Sequence, residues 1–138
     1  MAWIYTYLVT LVAFLAVDAV WLSRVMRPLF EREVGHFLRE NIQFAPAIGF
    51  YSIYIMGVLF FATAPGLKPG GGVVQTAALG AFLGFLCYGT YEATNMTTLK
   101  GWTWTMVIGD TAWGVALTAF AAVVGLFAAR AFGLSQMS

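Results

Sequence analysis

Four apolar segments, each long enough to cross a membrane, constrain the fold of this chain more than any other feature. A transmembrane helix needs ~20 mostly apolar residues to cross ~30 Å of hydrocarbon. Hydrophobic residues make up 61% of the 138 residues and charged residues only 9%, well below the ~25% usual in soluble proteins. We therefore predict an all-α protein with four spans. The spans are expected at about residues 3–22, 44–64, 73–94 and 102–129.

The connections between these segments predict one compact domain over residues 1–138. Residues 65–72 contain two prolines and four glycines, which break helices and form tight turns. Residues 95–101 are few and mostly polar. Short connections join antiparallel neighbours in four-helix bundles. The sequence thus predicts a four-span transmembrane helical bundle.

The first connection is longer and has a helical pattern of its own. Phe30, Val34, Phe37 and Leu38 recur at helical spacing, and the charged residues fall largely on the rest of the wheel. This pattern is typical of an amphipathic helix that lies in the lipid headgroup region. We predict such an interfacial helix over residues 27–41; a solvated connector is the alternative. The side chains expected to contact lipid headgroups are those of Arg24, Arg27, Arg32 and Arg39.

The lysines and arginines are distributed unequally between the two ends of the predicted bundle. Five of the seven lie in the first and third connections, and only Lys68 and Arg130 lie at the opposite end. Cytoplasmic loops carry an excess of such residues. We therefore expect the first and third connections to be cytoplasmic and both termini to lie on the other side.

Three carboxylates interrupt the apolar segments, namely Asp18, Glu92 and Asp110. An acidic residue at the centre of a membrane helix costs about 2.5–3.5 kcal/mol, so such residues usually face a bundle interior. Their depths agree within roughly 10 Å at the helical rise per residue. We predict that they meet in a pocket at the cytoplasmic side. The side chains expected to shape this pocket are Tyr51, Tyr88, Tyr91, Asn95, Trp21 and Trp113.

The neighbours of these acids support an inward orientation. On the third segment, Gly80 and Gly84 share a face with Glu92, and small residues let membrane helices approach closely. Two of the acids are each followed three residues later by tryptophan, in Asp18–Trp21 and Asp110–Trp113. This spacing places the indole one turn from the acid on the same face. We interpret it as an acid shielded from lipid by a large aromatic ring. Trp102 and Trp104 fit an aromatic belt at the membrane surface.

Three kinds of partner would stabilise the acids. They would form ion pairs with Arg24, Arg27 or Lys100, share protons among themselves, or coordinate a hard cation through oxygen ligands. With one cysteine and one histidine in the chain, a structural zinc site of Cys and His ligands is excluded. No cofactor is predicted, and any metal is left open. A net charge of +1 does not indicate a nucleic-acid partner.

The chain resembles a bacterial membrane-protein family known as domain of unknown function 2177. The resemblance is carried by residues 18–22, 50–51, 88–99 and 109–114, together with Trp102. The resemblance covers nearly the whole chain, and the Thr-Tyr-acid-x-Thr-Asn stretch within residues 88–99 is its most specific part. It implies a small four-span protein of the bacterial inner membrane, so that both termini would be periplasmic. Family members are often encoded near enzymes that modify unsaturated acyl chains, which implies a lipid-linked role.

The acidic residue of that stretch is usually Asp in the family, whereas this chain has Glu92. Taken together, these features favour a membrane protein whose acidic pocket binds a cation, protons or a lipid headgroup, as a small transporter-like or lipid-linked accessory. The expected partners are membrane lipids and a second copy or a larger membrane complex. A purely structural subunit and a membrane-embedded lipid-modifying enzyme are the alternatives, and no residue is assigned as catalytic.

Overall fold

A computed structural model describes residues 1–34 and 45–134. Within them lie four long helices, each with a stretch long and apolar enough to cross a membrane, and no β-strand. The predicted all-α fold with four spans is thereby confirmed. Helix α1 comprises Ala2–Trp21, a π-helical segment Leu22–Met26 and Arg27–Val34. Helix α2 comprises Ala45–Val58, a π-helical segment Leu59–Thr63 and Ala64–Gly66. Helix α3 is Val73–Thr98 and helix α4 is Trp104–Ala131.

Each π-helical segment ends two residues before a proline, Pro28 in α1 and Pro65 in α2. A proline ring crowds the carbonyl four residues earlier. Those carbonyls belong to Arg24 and Phe61, and each lies inside a π-helical segment. A wider turn at that point keeps the helix continuous past the proline, as π-bulges commonly do.

Because of this continuity, α1 has no break between the first span and the start of the predicted interfacial helix. Residues 27–34 of that prediction form a direct extension of α1. The remainder, residues 35–41, lies outside the described residues, and so does Arg39. The position of the segment relative to lipid headgroups stays a prediction.

The two short connections turn the chain through glycines in conformations that other residues rarely adopt. Gly70 and Gly72 have φ values of +85° and +132° between α2 and α3, and Gly101 has +83° between α3 and α4. The latter turn leads to Thr103, whose hydroxyl accepts a hydrogen bond of 3.3 Å from the backbone N–H of Met106 and caps α4.

Helices α3 and α4 form the closest pair in the bundle because glycines lie at their contact. A Cβ atom at Gly80 would lie 2.9 Å from the Cα of Ala119, and one at Gly84 would lie 2.9 Å from the carbonyl carbon of Gly114. On the other helix, a Cβ at Gly114 would overlap the ring of Tyr88. We call this contact, formed by Gly80, Gly84, Gly114 and Ala119, the glycine seam.

Helix α2 is held at one end of the bundle and separates from α3 towards the other. It contacts α3 through Leu59–Thr63 and Ala64–Gly66 but hardly through Ala45–Val58. At the closed end, the Thr63 hydroxyl donates a hydrogen bond of 2.9 Å to the backbone oxygen of Ala122 in α4. The core of the bundle, built from buried apolar side chains, consists mainly of Phe14, Tyr54, Ile55, Val58, Ala62, Leu117, Ala121 and Ala122.

Candidate functional site

Asp18 faces the interior of the bundle near the end of the regular part of α1. Its side chain is 4% exposed, and its Oδ1 accepts a hydrogen bond of 3.0 Å from the indole Nε1 of Trp113 in α4. The Trp113 ring stacks on that of Trp21, with centroids 4.2 Å apart. Asp18 therefore links α1 to α4.

This arrangement differs from the local pairing that the two Asp-x-x-Trp sequences predicted. The indole N–H of Trp113 bonds the acid of another helix, Asp18, and not Asp110 one turn away. The indole nitrogen of Trp21 is buried and has no hydrogen-bond partner. Since α1 packs along α4, the acid of α1 comes within reach of the α4 indole. The shielding of Asp18 is thus shared between two helices.

Glu92 and Asp110 form the second part of the acidic group. Glu92, on α3, has no exposed surface, and its Oε2 accepts a hydrogen bond of 2.8 Å from the indole Nε1 of Trp102. Its other oxygen, Oε1, is buried without a described donor. Asp110 lies in the second turn of α4, the helix that packs against α3.

A cleft of about 420 Å³ lies between α2 and α3 where these helices separate. Among the described residues, Asp110 is the only charged one in its lining, while tyrosine and phenylalanine rings form most of its wall. Phe50 and Tyr91 are 62% and 54% exposed, so they stand at its mouth. We call it the aromatic cleft. Its lining residues are Leu22, Ala47, Phe50, Tyr51, Tyr54, Cys87, Tyr88, Tyr91 and Asp110.

The other residues predicted for the pocket also lie at this end of the bundle. Tyr51, Tyr88 and Tyr91 line the aromatic cleft. Asn95 is one turn beyond Tyr91 and within hydrogen-bonding reach of its hydroxyl. Trp21 and Trp113 do not line this cleft but cover Asp18 from the side of a second, apolar groove.

Buried polar atoms without hydrogen-bond partners concentrate at the same end. Buried polar groups in proteins are normally paired, so each exception needs a reason. Among the described residues, these atoms are the indole nitrogen of Trp21, the hydroxyls of Tyr88 and Thr111, and Oε1 of Glu92, with Thr76 as the one distant case. This end of the bundle is therefore equipped for interactions that the chain itself does not complete.

Two indoles donate hydrogen bonds to the acids, Trp113 to Asp18 and Trp102 to Glu92. The ion pairs with Arg24, Arg27 or Lys100 that the sequence left open stay a prediction. The side chains of Arg24, Arg27 and Arg32 are exposed, and their contact with lipid headgroups remains a prediction.

The sequence did not place Phe50 in the pocket or pair Trp102 with Glu92. Phe50 lies four residues before Tyr54 and Tyr51 three residues before it, so the helical spacing of these rings was a usable signal. Trp102 lies before the start of α4, so helical spacing does not predict which residues it contacts. The sequence therefore placed it in an aromatic belt and did not predict its hydrogen bond to Glu92.

The described residues contain no group of metal ligands, and the cleft combines aromatic rings with one carboxyl group. Within the described part of the chain, no three His, Cys, Asp or Glu residues are grouped closely enough to hold a metal ion. A hard cation such as Ca²⁺ needs six to eight oxygen ligands. By contrast, aromatic faces beside a single carboxylate attract organic cations through the negative charge of the ring faces.

A comparison with known families agrees with the architecture. Neither a curated protein nor a solved structure matches the chain. One family model, described as a predicted membrane protein, matches residues 3–127, which cover most of each of the four spans. The chain therefore belongs to the family of predicted membrane proteins called domain of unknown function 2177.

Proposed function

We propose that the aromatic cleft binds an organic ammonium cation, with Asp110 as its counter-charge. One observation carries this proposal: in a cleft of about 420 Å³, the one charged residue of the described lining is an acid and most of the wall is aromatic. Ligand pockets commonly have volumes of ~300–1,000 Å³ and few polar groups. The cleft is thus large enough for a substituted ammonium group and one attached ring or chain.

The aromatic rings supply the second part of the recognition. A cation over a tyrosine or phenylalanine face gains about 0.5–1 kcal/mol at exposed sites and about 2 kcal/mol when desolvated. Tyr54 and Tyr88 meet edge to face at 6.3 Å, and Phe50 stacks near Tyr54 at 6.1 Å. These rings form a wall beside the carboxylate and leave the cleft open on the outer face of the bundle.

The position of the cleft indicates how the ligand would arrive. Its mouth, at Phe50 and Tyr91, lies on the side of the bundle that faces lipid if the four helices cross a membrane. An ammonium group in a phospholipid headgroup and one in a free amphipathic cation would reach Asp110 by the same route. With the orientation inferred from lysines and arginines, the cleft lies on the cytoplasmic side of a bacterial inner membrane and both termini are periplasmic. Such a protein acts as a transporter-like or lipid-linked accessory.

The test uses benzyltrimethylammonium and its neutral isostere neopentylbenzene. Calorimetry on the protein in nanodiscs of phosphatidylglycerol, a lipid without an ammonium group, should detect the cation and not the isostere. Adding phosphatidylethanolamine to the nanodiscs should weaken the apparent affinity if the headgroup is the occupant, and leave it unchanged if a free cation is. Asp110→Asn should weaken binding at least about tenfold, because it removes the counter-charge.

A matched pair of variants separates the cleft from the rest of α2. Phe50→Leu should weaken binding about two- to fivefold through the loss of a ring face, whereas Phe61→Leu, at a residue 58% exposed and outside the cleft, should not. The single cysteine, Cys87, lines the cleft and provides a second readout, since bound cation should slow its alkylation. Equal binding of the neutral isostere, or undiminished binding by Asp110→Asn, would contradict the proposal and favour a purely structural subunit.

A further inference from the structure

We propose that a groove between α1 and α4 binds one anionic phospholipid, with an acyl chain along the groove and the headgroup phosphate at Arg24. The groove has a volume of about 520 Å³, and we call it the tryptophan groove. It shares no lining residue with the aromatic cleft, so this proposal does not depend on the proposed function. Its lining residues are Ala16, Val17, Val20, Trp21, Arg24 and Val25 on α1 and Trp113 on α4.

The apolar part of the tryptophan groove suits a hydrocarbon chain. The rings of Trp21 and Trp113 stack 4.2 Å apart and 4° from parallel, and Val17 and Val20 continue the apolar surface along α1. In lipid, apolar groups are held together by packing and not by the hydrophobic effect. A groove contacts a chain on more sides than a convex helix surface does, so it gains more dispersion energy.

The length of the groove matches one leaflet of a bilayer. The lining runs along α1 from Ala16 to Val25, which at the helical rise per residue is on the order of 14 Å. One leaflet provides about half of the ~30 Å of hydrocarbon in a membrane. An acyl chain that crosses its leaflet is therefore about as long as the groove.

The charge in the groove selects the headgroup. Arg24 is the one charged residue of the described lining, and it lies two residues beyond the predicted end of the first span at residue 22, where headgroups are expected. A guanidinium group matches phosphate oxygens with paired N–H donors. The carboxylate of Asp18 is 4% exposed and does not line the groove. A zwitterionic headgroup would bring its own cation beside Arg24, so an anionic lipid such as phosphatidylglycerol fits better.

The test is photolabelling by a phosphatidylglycerol with a diazirine in its acyl chain, on the protein in phosphatidylcholine nanodiscs. Peptide mass spectrometry locates the label. We expect labelling at Val17 and Val20 to exceed that at Ile108 several-fold, because Ile108 is 64% exposed but lies outside the groove. Unlabelled phosphatidylglycerol should remove the excess, whereas the same amount of phosphatidylcholine should not. Equal labelling at the three positions would indicate bulk lipid only and overturn the proposal.

A matched pair of variants tests the phosphate contact. Arg24→Gln and Arg32→Gln each remove one exposed positive charge from the same end of α1, but only Arg24 lines the groove. Arg24→Gln should raise the phosphatidylglycerol concentration for half-maximal labelling of Val17 about fivefold. Arg32→Gln should leave it nearly unchanged. Equal effects of the two variants would mean that charge acts over the whole membrane surface, and would overturn the contact at Arg24.

A third variant, Val20→Trp, fills the groove. Because Val20 is 57% exposed, the larger side chain lies outside the bundle core, and circular dichroism should stay as in the wild type. Labelling of Val17 should be lost, and unchanged labelling would place the lipid elsewhere. If the variant fails to fold, the Arg24→Gln and Arg32→Gln pair decides. A dimer that protects Val17 from the label, and that Val20→Trp separates, would show a second copy in the groove and overturn the proposal.

Discussion

Helix α3 meets its two neighbours in opposite ways, through the glycine seam towards α4 and across the aromatic cleft towards α2. In the seam, Gly80 and Gly84 bring backbone against backbone and leave no room for even a methyl group. In the cleft, Tyr91 and Tyr88, whose ring also packs on Gly114, line the space between helices that have separated. The same apolar helix therefore builds a closed contact with one neighbour and an open site with the other. Side-chain size explains the difference between the two contacts. In lipid there is no hydrophobic driving force between helices, so how closely they pack depends on the size of the residues at the contact.

Gly84→Ala should have the largest effect, because it opens the seam. The new Cβ would meet the backbone of Gly114, with its carbonyl carbon 2.9 Å away, and backbone cannot yield as a side chain can. We expect a loss of about 3 kcal/mol in unfolding free energy, at the upper end of overpacking costs. Unfolding in mixed detergent micelles measures it.

The matched control is Gly109→Ala on α4, where a Cβ would have nothing within 4 Å. It should be neutral or stabilise by about 0.4–1 kcal/mol. If Gly84→Ala and Gly109→Ala behaved alike, the seam would not be the close contact described above.

The sequence predicted the spans and the end of the bundle that bears the acids, and the reason is physical. Length and apolarity fix what can cross a membrane, and charges within such segments are rare enough to stand out. The small-residue face with Gly80 and Gly84 could also be predicted, from the helical spacing of the two glycines. The direct extension of α1 beyond Trp21 could not be predicted, because Pro28 is normally a helix boundary and the π-helical segment that accommodates it has no sequence signature.

What the sequence could not provide is which side chain meets which across helices. The pairing of Trp113 with Asp18 depends on the rotation of α1 and α4 about their axes, which periodicity within one helix does not determine. The 44–64 segment contains no charged residue, so the sequence did not predict that Phe50 and Tyr54 line a cleft together. Only the separation of α2 from α3, a property of the assembled bundle, turns them into the wall of a cleft.

Trp113→Phe should have an intermediate effect, because it removes the donor that bonds Asp18 at 3.0 Å while keeping an aromatic ring against Trp21. Hydrogen bonds to charged groups contribute about 1.5–3 kcal/mol, so we expect a loss of about 2 kcal/mol. Trp104→Phe, at a residue 65% exposed, is the control and should change little. In a double-mutant cycle with Asp18→Asn, the two losses should be non-additive by at least about 0.5 kcal/mol; strict additivity would show that the two side chains do not interact.

Thr63→Val should have the smallest effect and tests whether the closed end and the cleft are independent. The Thr63 hydroxyl donates to the Ala122 backbone oxygen at 2.9 Å and holds α2 against α4 where α2 also meets α3. Because Ala122 lies within α4, its oxygen keeps its helical partner, and valine fills the same space without leaving a buried acceptor unpaired. Interhelical bonds of this kind average about 0.6 kcal/mol in membranes, and we expect a loss of that size in unfolding free energy.

Ser52→Ala is the matched control for Thr63→Val, since the Ser52 hydroxyl bonds only within its own helix, to the Ile48 oxygen at 2.8 Å, and is not expected to affect helix pairing.

Benzyltrimethylammonium affinity should be the same in Thr63→Val and in the wild type if the cleft is formed by the rings and Asp110 alone. A changed affinity at nearly unchanged stability would mean that the angle of α2, set at Thr63, controls the width of the cleft. The contrast between the two faces of α3 would then reflect one movable helix and not two independent contacts.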